Sequence, residues 1–98
     1  MKAASVRSPG GRQDGLVIAN PPDGATYMID PTLRREFQTL SMKAVSAADG
    51  EVVWTVNGRP LGSTIPGQSL DWPLTPGRHH IVAKDGRGRT AESRITVR

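Results

Sequence analysis

Residues Glu51 to Gly62, EVVWTVNGRPLG, restrict the fold more than any other stretch of the chain. Val52, Trp54 and Val56 fall on one face of a period-two pattern, and Val53 and Thr55 on the other. That is the signature of a strand with one face turned to a core. Asn57-Gly58 follows at once. These residues tolerate a positive φ at both central positions of a type I′ hairpin turn. The stretch therefore predicts a strand, a two-residue turn and a returning strand, with Trp54 pointing inward.

The rest of the chain reads in the same way. Leu16 to Ala19 is a short apolar run that Pro21-Pro22 breaks, because two prolines remove two backbone donors. Ala25 to Ile29 predicts a second short strand, with Tyr27 and Ile29 on one face. Pro31 to Gln38 has a weak helical character, and Leu33 and Phe37, four apart, are expected to clip a single turn onto the core. Thr39 to Val45 alternates, with Leu40, Met42 and Ala44 inside. Ser63 to Gln68 reads as a loop, and Trp72-Pro73 marks an edge strand. Arg78 to Lys84 places His79, Ile81 and Ala83 on one face. Asp85 to Gly88 turns the chain, and Ser93, Ile95 and Val97 return in phase. About seven short strands separated by turn signals predict an all-β, immunoglobulin-like antiparallel β-sandwich. Trp54 would pack on aliphatic residues, since there is no Cys.

Composition narrows the function classes. The 98 residues fit one domain, expected over residues 16–98, with Met1 to Gly15 as a disordered linker or leader. Without Cys there are no disulfides, thiolate metal sites or Cys nucleophiles. The net charge is +4, of which Lys2, Arg7 and Arg12 against Asp14 put +2 in the leader. The remainder is nearly balanced, and Arg87 and Arg89 have no interleaved aromatic, so no nucleic-acid partner is expected. No apolar run approaches the ~20 residues of a membrane span.

The candidate sites are few. His79 and His80 are neighbours on a strand and point to opposite faces, so they cannot chelate one ion together. The Asp-Gly pairs at Asp14, Asp23, Asp49 and Asp85 lack the closely spaced oxygen ligands of a calcium loop and read as turn chemistry. No metal or other cofactor is expected. A serine nucleophile of the penicillin-interacting type needs S-x-x-K and K-T-G elements. Ser41-Met42-Lys43 has the wrong spacing and Lys84-Asp85-Gly86 lacks the Thr, so no active site is expected. Trp72, Tyr27 and Arg78 remain as candidates for a ligand or partner surface. For Trp72, an aromatic capping the edge of a sandwich is the commoner outcome.

Several stretches together resemble a known family. They are Pro22-Asp23-Gly24-Ala25-Thr26-Tyr27 with Ile29-Asp30-Pro31, Ala48 to Val52 leading to Trp54 to Gly58 and Leu61-Gly62, and Trp72 to His79 followed by Asp85, Gly88 and Arg89. They are similar, in this order, to the C-terminal domain of class A penicillin-binding proteins of the 1C type. The resemblance implies an accessory module without catalytic residues, attached after a glycosyltransferase and a transpeptidase in an inner-membrane protein that faces the periplasm. It implies as partners the other domains of that parent, peptidoglycan held through exposed aromatics, or an envelope protein such as a bacterial α2-macroglobulin.

Overall fold

The computed structural model describes residues 12–13, 15–47 and 50–98. Among the described residues nine strands form two sheets. The first sheet holds, in spatial order, β1 (Arg12–Gln13), β2 (Leu16–Asn20), β4 (Thr39–Ser46) and β7 (Ser69–Pro73). The second holds β3 (Thr26–Tyr27), β9 (Thr90–Val97), β8 (Gly77–Lys84), β5 (Val52–Val56) and β6 (Arg59–Thr64). The two sheets make a β-sandwich, as the turn spacing predicts.

The core follows the alternation. Leu40, Met42 and Ala44 of β4, Val52, Trp54 and Val56 of β5, and Ile81 and Ala83 of β8 are buried. Trp54 is 0% exposed and stands between Gly62 and Ala83 in the ladder. Its indole N–H donates to the Thr64 hydroxyl at 3.1 Å. That bond and the pairing of Thr64 with Val52 carry β6 through Ser63 and Thr64, two residues into the stretch expected as loop.

The chain changes sheet after β2. Pro21 and Pro22 cannot extend the ladder with β4, and the backbone crosses to run parallel to β9. Thr96 N–H donates to Ala25, Arg98 N–H to Tyr27 and Ile29 N–H to Arg98. The strand expected over Ala25 to Ile29 thus shrinks to Thr26–Tyr27, and its pairing is parallel where an antiparallel one is expected.

The segment before β4 departs most from the sequence reading. It contains one 3-10 turn, Arg35–Phe37. Leu33 is 54% exposed and Phe37 72% exposed, so neither clips the turn to the core. A polar clasp closes the segment instead. The Gln38 side chain accepts from Asp30 N–H at 2.7 Å and donates to the carbonyls of Asp30 and Leu33. Thr32 donates its hydroxyl and its N–H to Asp30, and these bonds hold that carboxyl below the usual carboxylate range.

Of the stretch expected as a leader, Arg12–Gln13 pairs with Leu16 and Val17. Asp14 and Asp49 lie outside the described residues.

Candidate functional site

The β5–β6 turn is the type I′ turn that Asn57-Gly58 predicts, with φ of 54° and 81°. Asn57 does more than turn the chain. Its backbone N–H donates to His80, and its side-chain oxygen accepts from His80 N–H at 2.8 Å. Its amide group donates to His79 Nδ1 at 3.0 Å. The other ring nitrogen of His79 donates to the Thr75 carbonyl at 2.7 Å. His79 also meets the Trp72 ring edge-on, with centroids 4.8 Å apart. The imidazole, almost wholly buried, is thereby fixed on three sides by a turn, a loop and an aromatic ring.

Two hollows adjoin at this wall, since Asn57 and His79 line both. The larger, of about 550 Å³, lies on the side where β6 and β7 end the two sheets, with Val56, Pro60, Leu61 and Trp72 as its apolar floor. Arg59 and Thr75 complete its lining. The smaller, of about 310 Å³, is lined by Arg78, His80, Arg94 and Thr96 beside Gly24 and Ile95. Among the described residues no carboxylate lines either hollow. Arg59 and Arg78 have no ion-pair partner among the described residues. The arrangement can receive an anionic group beside an apolar one.

The three residues singled out in the sequence fare differently. Arg78 is exposed and lines the smaller hollow. Trp72 lines the larger one but is only 8% exposed: it pairs with buried Leu40 on β4, and the His79 ring stands against it. Of the two outcomes weighed for Trp72 from the sequence, its burial fits the commoner one, an aromatic that caps the sandwich edge. Tyr27 is half-buried, pairs with Val97 and lines neither hollow. Burial pushes its hydroxyl pKa up. Sequence reasoning does not reach Asn57 and Arg59, whose side-chain roles depend on which strand the turn lies against.

His80 points away from His79 and bonds Glu92 at 2.6 Å. No cluster of three metal-ligating side chains occurs among the described residues. Asp23 and Asp85 act as turn residues. Asp23 accepts from Arg94 N–H. Asp85 accepts from the N–H groups of Arg87 and Arg89 at 2.9 and 3.0 Å and from the Arg89 guanidinium at 2.8 Å.

Burial pushes the Asp85 carboxyl up, but these donors outweigh it and hold the pKa below the usual carboxylate range. A depressed folded pKa contributes stability above the unfolded value, which is lost as pH falls through the folded one. The thermal midpoint is therefore expected to fall below about pH 4, the range of an ordinary aspartate. Asp85→Asn should lower the midpoint at neutral pH and narrow its gap to the wild type in acid. A gap constant down to about pH 2 would count against this role for the carboxylate.

The two sheets define the chain as a β-sandwich of the immunoglobulin-like class. The fibronectin(III)-like modules of Clostridium thermocellum CbhA share this fold, with a TM-score of 0.61 over 85% of this chain and 95% of theirs, at 18% identity. The chain belongs to the Penicillin-Binding Protein C-terminus Family, which matches it over residues 8–97. No curated protein sequence matches it. Among the described residues no helix is long and apolar enough to cross a membrane.

Proposed function

We propose that this chain is the non-catalytic accessory module of a periplasmic peptidoglycan synthase, a penicillin-binding protein of the 1C type. It positions its parent or docks an envelope protein through the side of the sandwich where β6 and β7 end the two sheets. One observation carries the reading. β6 is a six-residue edge strand whose one strand partner among the described residues is β5, and it borders a hollow with an apolar floor. Edges of this kind accept an added strand, with main-chain hydrogen bonds for affinity and side-chain pockets for specificity.

The alternative is a carbohydrate-binding module that holds peptidoglycan. It draws on Trp72 lying beside Asn57 and Arg59 in the same hollow. A stacking platform needs an open ring face, however, and Trp72 is 8% exposed. This favours a protein partner. The candidates are the other domains of the parent and an envelope protein of the α2-macroglobulin type.

The test immobilises the domain and offers it the parent's catalytic portion and a periplasmic α2-macroglobulin-like protein, with sedimentation on insoluble peptidoglycan run in parallel. Capture of one of the proteins and no sedimentation are expected. Sedimentation without protein capture would favour the carbohydrate reading. Release of muropeptides by the isolated domain would overturn the non-catalytic one.

A further inference from the structure

We infer that the larger hollow holds the C-terminus of a partner protein, with the terminal carboxylate on Arg59 and an aliphatic last side chain between the two sheets. This rests on the docking reading above and names the part that docks.

Register is the first argument. Val56 pairs with Arg59 across the Asn57-Gly58 turn, so both side chains leave the same face of the five-stranded sheet. Val56 is buried, which makes that face the inner one. His79 shares it, being two residues before buried Ile81, the partner of Val56 on β8. Trp72 comes from β7 of the other sheet. Arg59, Val56, Leu61, His79 and Trp72 thus surround one hollow from both sheets, at the side where β6 and β7 end them.

Charge is the second. Arg59 is exposed and has no ion-pair partner among the described residues. One guanidinium matches one carboxylate through paired, charge-assisted hydrogen bonds. Asn57 adds a donor beside it. Its oxygen takes His80 N–H and one amide hydrogen goes to His79, which leaves the second hydrogen to meet a ligand.

The third argument is how close the anionic and apolar groups must be. Leu61 is two residues from Arg59 on β6, and Val56 stands opposite Arg59. In a C-terminal residue the carboxyl carbon and Cβ share one Cα, so a single aliphatic residue meets both. A Glu or Asp side chain carries its charge at the tip and would leave the floor uncovered. The polar wall tells against a sugar acid. Both ring nitrogens of His79 are engaged, by Asn57 and by the Thr75 carbonyl, and the Thr75 hydroxyl donates to Pro73. Several sugar hydroxyls would lose water there and find few partners. The same bonds set the wall in advance, which reduces the ordering cost of binding. The volume, about 550 Å³, is within the range of sites that enclose an organic ligand.

The test is fluorescence anisotropy at up to about 1 mM protein. The probes are N-terminally labelled Gly-Ser-Gly-Val-Leu as the free acid, its C-terminal amide, the free acid Gly-Ser-Gly-Val-Ser, the amide of Gly-Ser-Gly-Glu-Gly and a labelled oligogalacturonate. The Leu acid is expected to bind. Its amide and the Ser acid should each bind about tenfold or more weakly, for loss of the charge and of the apolar contact. Arg59→Gln should weaken the Leu acid about tenfold, leave its amide as it is and leave the thermal midpoint unchanged. Lys43→Gln, on an exposed position of the other sheet, should leave binding as it is. Equal affinity for acid and amide, tighter binding of the Glu peptide or of oligogalacturonate, indifference to Arg59→Gln, or no binding of the Leu acid would each overturn the site. Protein capture that survives Arg59→Gln would also overturn it while leaving the docking reading in place. Binding of the Leu acid by a domain that captures no protein would leave the site standing and remove the docking reading.

Discussion

Trp54→Ala is expected to cost about 3–5 kcal/mol of stability, the largest effect of any single substitution considered for this chain. Trp54 is fully buried in β5, with β6 on one side and β8 on the other. The ladder places Gly62 and Ala83 opposite it, so small neighbours leave room for the indole. Removing the ring opens a cavity that β-strands pinned on both sides cannot collapse to fill. It also strips the nearly buried Thr64 hydroxyl of the indole N–H that it accepts from. A domain of ordinary stability has about 5–15 kcal/mol in all, so the variant should be partly unfolded at room temperature. Trp54→Phe separates the two contributions. It keeps most of the apolar volume, loses the hydrogen bond and should cost distinctly less. Urea unfolding with the slope compared between variants measures both. A cost below ~1 kcal/mol for the alanine variant would show that Trp54 does not hold the core together.

The sequence makes the strands legible where one face is wet and the other dry. In β4, β5, β8 and β9 the alternation alone assigns the inward face, and Met42, Trp54, Ile81 and Ser93 are all buried as their phase requires. The Asn57-Gly58 turn is legible for a different reason, since its backbone conformation admits few residue types. The pattern fails where packing does not follow period. Leu33 and Phe37 have the spacing of a helical face, but a Gln38 clasp closes their segment without burying either. A side-chain clasp of that kind leaves no periodic trace. Trp72 is legible only in part. Pro73 correctly marks an edge strand, but an edge position exposes the backbone and not necessarily the side chain. Trp72 shares its inward phase with Leu70, and His79 closes the remaining side. The candidate site is the least legible part. Arg78 is found by sequence, whereas Arg59 and Asn57 acquire their roles only when β8 is laid beside β5. Those contacts span more than twenty residues of chain, and no local pattern encodes them.

The second large effect is expected at a polar residue inside the core. Ser93 is 0% exposed and in phase with Ile95 and Val97, where an apolar side chain would ordinarily stand. Its hydroxyl donates to the Pro21 carbonyl at 2.8 Å. Pro21 is the point at which the chain leaves the four-stranded sheet, and Pro22 has no N–H to continue the ladder. The crossing is fastened to β9 by a series of bonds that begins with Ser93. Asp23 accepts from Arg94 N–H, Gly24 N–H donates back to Arg94, and Thr96 N–H donates to Ala25. Ser93→Ala removes the first of these and leaves the Pro21 carbonyl without a partner at a buried site. A cost of about 1–3 kcal/mol is expected, above that of deleting an exposed hydroxyl. Because the crossing is a local unit, hydrogen exchange at the Thr96 amide should speed up more than exchange at the Ile81 amide in the adjacent strand. Asp23→Ala, made at an exposed member of the same series, should cost less than Ser93→Ala. If Ser93→Ala is neutral and exchange at Thr96 is unchanged, the hydroxyl does not fasten the crossing, and the turn from one sheet to the other must be held by the bonds of Asp23 and Gly24 to Arg94 and by the β3–β9 pairs.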